Sequence, residues 1–167
     1  MNKEIKQRGK LIGLWSLKKF ASQEAFERGE AYEDRPIGRN CLLNVGINEL
    51  FTILCSAASG TKFDNTNAYL GVGDADTPAA APAQTGLSAV TNKLYKAMDV
   101  SFPTYGTSQK ATWRATFSGA EANFAWQEFT VANGGTGAEK NLNRLVSDQG
   151  TKTSGQVWQL TLEITLS

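Results

Sequence analysis

Gly155-Gln-Val-Trp-Gln-Leu-Thr-Leu-Glu-Ile-Thr-Leu-Ser167 closes the chain, with Trp158, Leu160, Leu162, Ile164 and Leu166 on alternate positions. Gln159, Thr161, Glu163 and Thr165 stand between them. A period of two puts the five apolar side chains on one face of an extended strand and the polar ones on the other. Such a face needs an apolar surface to cover it, and most of the remaining chain reads as strands able to provide one.

Working back from this strand, Ala111, Trp113, Ala115 and Phe117 alternate with Thr112, Arg114 and Thr116, a second clean strand. Phe124 and Trp126 alternate too, but Phe129 and Val131 have the opposite parity. A β-bulge near Gln127-Glu128 would produce that shift. Leu142 to Val146 and Ala68 to Gly73 read as short strands, and Leu94, Ala97-Met98 and Phe102 suggest another, followed by a turn around Pro103–Gly106. Asn133-Gly-Gly-Thr-Gly137 and Asp148-Gln-Gly150 are turns.

Leu43, Ile47, Leu50, Phe51 and Leu54 recur at intervals of three and four, which predicts one helix near 44–57, packed against a sheet. Asn44 is a candidate N-cap, and Ser59-Gly60 end the segment. Short strands, Gly- and Asn-rich turns and one helix predict a mainly β protein, an antiparallel β-sandwich over residues 40–167. Its expected core includes Leu50, Phe51, Trp113, Phe117, Trp126, Trp158, Leu160, Leu162 and Ile164.

Residues 1–39 read as an extended N-terminal arm, bounded by Pro36 and Gly38. Leu14, Trp15, Leu17 and Phe20 lie among Lys6, Arg8, Lys10, Lys18 and Lys19. Apolar anchors with basic residues to steer them suit a partner-binding element. Strand and helix are both compatible with residues 11–20, and Ser22 opens a short helical turn stopped by Gly29. On this reading residues 1–20 are dispensable for folding.

Net charge is +1, but nine of the 17 Lys and Arg lie in residues 1–39. An acidic block of Glu24, Glu27, Glu30, Glu33 and Asp34 follows the bases at once, so a dedicated nucleic-acid protein is not expected. No run approaches eighteen apolar residues and no signal-peptide core is apparent, so the expectation is a soluble product of the cytoplasm without a membrane span.

There is no histidine, which removes the commonest general base, the Ser-His and Cys-His pairs and most zinc sites. Cys41 and Cys55 are read as buried thiols. Gly71-Val-Gly-Asp74 lacks the remainder of a phosphate-binding motif. Nothing in the spacing of Asp99, Glu121, Glu128 and Asp148 selects a catalytic pair. Glu128 is placed to turn inward and pair with Arg114 or Arg144. No catalytic residue, metal or cofactor is predicted.

The order of segments carries a resemblance. Asn40-Cys-Leu-Leu-Asn-Val-Gly-Ile-Asn-Glu-Leu50 is followed by Asn67-Ala-Tyr-Leu-Gly-Val-Gly-Asp74, a Pro/Ala loop, Gln84-Thr-Gly-Leu87 and Asn92-Lys-Leu-Tyr-Lys-Ala-Met98. Glu121-Ala-Asn-Phe-Ala-Trp-Gln-Glu-Phe129, Leu142-Asn-Arg144 and the closing strand complete it. Over residues 40–167 this resembles small structural proteins of tailed bacteriophages and is similar in layout to tail-collar fibre domains. The resemblance implies a homo-oligomeric virion component, made in the host bacterial cytoplasm, that binds other virion proteins. Its expected role is capsid decoration or cement, attached through the arm to the major capsid protein. A neck, collar or tail-fibre part is the alternative within the virion, and a carbohydrate-binding module the alternative outside it.

Overall fold

A computed structural model describes residues 11–56, 59–136 and 139–167. In chain order the elements are β1 (Leu11–Phe20), α1 (Gln23–Glu27), β2 (Glu33–Arg39), β3 (Cys41–Leu42), α2 (Asn44–Cys55), β4 (Tyr69–Gly73) and β5 (Lys93–Ala97). There follow β6 (Thr104–Thr107), β7 (Lys110–Phe117), β8 (Glu128–Ala132), β9 (Asn143–Val146) and β10 (Val157–Leu166). They form two five-stranded sheets, ordered β2-β1-β10-β7-β6 and β3-β9-β8-β4-β5. Every ladder is antiparallel. The protein is a β-sandwich.

The closing strand β10 is the middle of its sheet. It pairs β1 along its whole length, from Leu11 opposite Leu166 to Phe20 opposite Val157. On its other edge it pairs β7, from Trp158 opposite Phe117 to Thr165 opposite Lys110. Directly opposed residues share a face. Trp15, Leu17, Trp113, Ala115, Phe117, Trp158, Leu160, Leu162 and Ile164 therefore point inward and meet Leu70, Val72, Phe129, Val131 and Leu145 of the second sheet. Trp126 stands at the centre, edge-on to Phe117 at 4.7 Å and to Trp158 at 4.8 Å, with its Nε1 donating to the Ala122 carbonyl at 2.9 Å.

Residues 11–39 are not an arm. Trp15 and Leu17 are fully buried in the core, and Phe20 is buried in a satellite cluster with Ala25, Val157 and Phe26 on the outer face. The inward parity of β1 reads Leu11, Gly13, Trp15, Leu17, Lys19, and two of those five positions do not look like core. Gly13 is there because the Asn40 side chain fills the space: a Cβ would fall 1.5 Å from its Oδ1. Lys19 is buried because its ammonium lies 4.6 Å from the Trp158 ring centroid and donates to the Gln149 carbonyl at 2.8 Å and to Glu33 at 3.0 Å. The helical turn begun at Ser22 is present as α1, with the Ser22 hydroxyl accepting from the Ala25 amide.

Three local expectations change. The parity shift at Gln127-Glu128 is a strand start and not a bulge. Ala125 bridges Thr151, and only from Glu128 does the chain run beside β4. Thr104–Thr107 is an edge strand where a turn was expected. Leu50 and Phe51 lie outside the core, exposed on α2.

Because β1 supplies one whole edge of the pairing of β10, a chain beginning at residue 21 is expected not to fold. Its circular dichroism should lack a cooperative thermal transition, and a melting curve like that of the full chain would refute the placement of β1.

Candidate functional site

The feature that the fold leaves without a covering is on α2. The helix is tied at its start: the Leu43 amide donates to Leu142 and the Asn44 amide to Pro82. Leu43, not Asn44, occupies the cap position, and it is fully buried. Gly46 lets the helix backbone lie against β9's approach, since a Cβ there would come 2.3 Å from the Leu142 Cα. Ile53 packs on the core further along. Leu43, Gly46 and Ile53 thus form a narrow inward face.

The wider apolar stripe, Ile47, Leu50, Phe51 and Leu54, lies on a different side of the helix. Leu54 is 78% exposed, Phe51 60% and Leu50 37%. Beside the stripe, Leu11 and Leu166 continue the inward parity of β1 and β10 to the open end of the sandwich, where Leu166 is 57% exposed. Together with Leu42 these side chains line an apolar groove of about 390 Å³. The only ionisable carboxylate on α2, Glu49, is turned away from it, accepting from the Thr61 amide at 2.6 Å and from the Asn133 side chain at 3.2 Å. The groove and its helical rim are neutral and greasy.

The residues assigned to an attachment arm do not assemble into a site. Trp15, Leu17, Lys19 and Phe20 are buried, Leu14 is exposed on the outer face, and Lys18 pairs with Asp34 at 3.1 Å on the surface. Lys6, Arg8 and Lys10 lie outside the described residues. Sequence pattern does not mark Leu11, Leu42 and Leu166 as lining a groove. The available signal was Ile53, which does not share a face with Phe51 and Leu54, so the helix is apolar on more than one side.

The polar clusters brace the fold. Glu128 and Arg144 form a fully buried ion pair at 2.7 Å. The Glu128 carboxylate also accepts from the Ser88 and Ala89 amides, and Arg144 donates to the Pro78 carbonyl and Gln84 Oε1. This pins the long 74–92 connection to the second sheet. Arg114, the other candidate partner, is held by Asp99 at 2.9 Å. Lys152, buried, donates to the carbonyls of Ser118 and Glu121 and to Asn123 Oδ1 at 2.7–2.9 Å. Burial would raise the Glu121 carboxyl, but its bonds to Lys96 and to Ser118 hold it below the ordinary value.

All four tryptophans are buried, so none is available to stack on a sugar. The exposed aromatics Tyr32 and Tyr105 stand at opposite edges of one sheet, by β2 and on β6. Cys41 and Cys55 are free thiols, and Cys55 is exposed where a buried thiol was expected. Among the described residues no three His, Cys, Asp or Glu side chains are grouped to hold a metal, and no helix is long and apolar enough to cross a membrane.

Comparison with known proteins finds no family model, no curated relative and no solved structure that matches this chain.

Two substitutions test the geometry. Gly46→Ala should lower stability by about 1–3 kcal/mol through overpacking on Leu142, reversing the gain of up to ~1 kcal/mol that alanine brings to an ordinary helix. An increased melting temperature would show that α2 does not press on Leu142. Glu128→Gln leaves the Arg144 charge buried without its counter-ion and should cost about 3–5 kcal/mol. Cleavage by protease should then begin within residues 74–92; unchanged stability and cleavage would remove the pair's bracing role.

Proposed function

We propose that this protein is a structural component of a tailed-phage virion, an auxiliary capsid decoration protein that works by assembly and not by catalysis. The observation that carries the assembly reading is the solvent-facing apolar stripe of α2 with its adjoining groove. A helix that is apolar on several sides is ordinarily buried, and contiguous apolar surface of this kind marks contact with another macromolecule. The virion assignment rests on the order of segments between Asn40 and Ser167. Attachment through residues 11–39 does not hold, because those residues build the sandwich; the α2 face is assigned instead to the subunit contacts through which the protein assembles on the particle.

The test is made on purified particles of the phage that encodes the chain. The protein should be present at hundreds of copies; a stoichiometry of about six to eighteen would move it to the neck or tail, where rings of those symmetries occur. Absence from the particle would overturn the reading. Phe51→Glu, on the exposed stripe, should yield a folded protein that no longer joins the particle, and undiminished incorporation would remove α2 from that assembly.

A further inference from the structure

We infer that the α2 face takes a second copy of this chain, forming a two-fold dimer in which the helical ridge of each protomer lies in the groove of the other. The inference rests on the reading of this face as an assembly surface and names its occupant.

Three observations select that occupant. The first is shape. The exposed Phe51 and Leu54 form a helical ridge that is one wall of the groove, which Leu11, Leu42 and Leu166 complete. A two-fold axis through such a face brings each ridge onto the other groove, the self-complementarity an isologous interface requires.

The second is charge. With Glu49 engaged by Thr61 and Asn133, two copies meet without like charges opposing each other. A charged partner would find nothing on α2 to pair with. Residues 1–10, which enter the described fold at Leu11 beside the groove, have the wrong chemistry to fill it. They carry Lys3, Lys6, Arg8 and Lys10, with Met1 and Ile5 as their large apolar side chains.

The third is area. Phe51, Leu54, Leu50 and Leu166 leave on the order of 400 Å² of apolar surface in water, from the usual size of such side chains. A standard interface takes about 800 Å² from each partner and is about 65% apolar in homodimers. The patch is therefore close to the apolar part of one protomer's share, and the polar surroundings of the groove supply the rim.

The full chain is measured by size-exclusion chromatography with light scattering across about 1–200 μM, the range in which a small interface dissociates. The expected mass is twice the 18.0 kDa of one chain. Leu54→Asp should return a monomer with an unchanged far-ultraviolet spectrum, because Leu54 is exposed in the single chain. Leu14→Asp, exposed on the other side of β1, should remain dimeric. Cys55 follows Phe51 by one helical turn, so in a Cys41→Ser background a short bismaleimide should link two copies through Cys55, and Leu54→Asp should abolish the link. A monomer throughout the range, or a dimer that survives Leu54→Asp, overturns the inference. A dimer that appears only after residues 1–10 are deleted overturns it as well, identifying that segment as the occupant. Particle incorporation is read separately: a monomer found in virions leaves the virion reading standing, and a dimer absent from virions leaves this inference standing.

Discussion

The ladder between β1 and β10 is the constraint on which the rest of the structure depends. Ten residues at the start of the described chain pair with ten near its end, in unbroken register. That pairing gives β10 a neighbour on both edges, so its alternating face can be apolar throughout without presenting a sticky edge to solvent. The exposed edges fall to β2, which carries Glu33, Asp34, Arg35 and Pro36, and to β6, only four residues long. Charge, proline and shortness are the usual protections of such edges. The cost is topological. One sheet cannot form until the chain's two ends meet, and closing so large a loop precedes any gain from the contacts it makes.

How much of this was legible depends on what each strand asks of its inward positions. β10 and β7 fill theirs with apolar residues, and the period of two reads straight from the sequence. β1 has the same role but spends one inward position on Gly13, to admit Asn40, and another on Lys19, whose charge is satisfied by Glu33, Gln149 and Trp158. Its outward side carries Ile12, Leu14 and Phe20, so the two faces are nearly equal in hydrophobicity. Pattern cannot choose between them, because the reasons for the exceptions lie on residues distant in sequence. The pairing of Glu128 with one of two arginines was legible for the opposite reason. A carboxylate at a strand position flanked by core residues must find a cation, and few were within reach.

The helix illustrates a different limit. Spacing located α2 almost to the residue, with Asn44–Cys55 inside the expected 44–57. The same spacing suggested that Leu50 and Phe51 would be buried within the chain. Periodicity reports that a stripe of side chains avoids water; it does not say whether the surface that covers them belongs to the same molecule. The deciding residue is Gly46, whose missing side chain lets the helix backbone close on Leu142 and so sets which side faces the body. With that contact made, the wide stripe cannot also turn inward.

An apolar stripe left out in this way couples association to folding with little added machinery. α2 is held to the sandwich by its first turn, by Ile53 and by the bonds Glu49 accepts from Thr61 and Asn133. Covering the stripe with a second molecule would add burial at about 25 cal/mol per Å², and would favour only the arrangement in which α2 is already docked. Association of that kind stabilises the helix it uses. It also accounts for where the protein places its charges. The buried ion pair and the Lys152 brace tie loops to the strands behind them, while no charged side chain lines the groove itself. A charge there would have to lose its water on assembly with no partner to replace it, and the neutrality of the groove removes that obstacle.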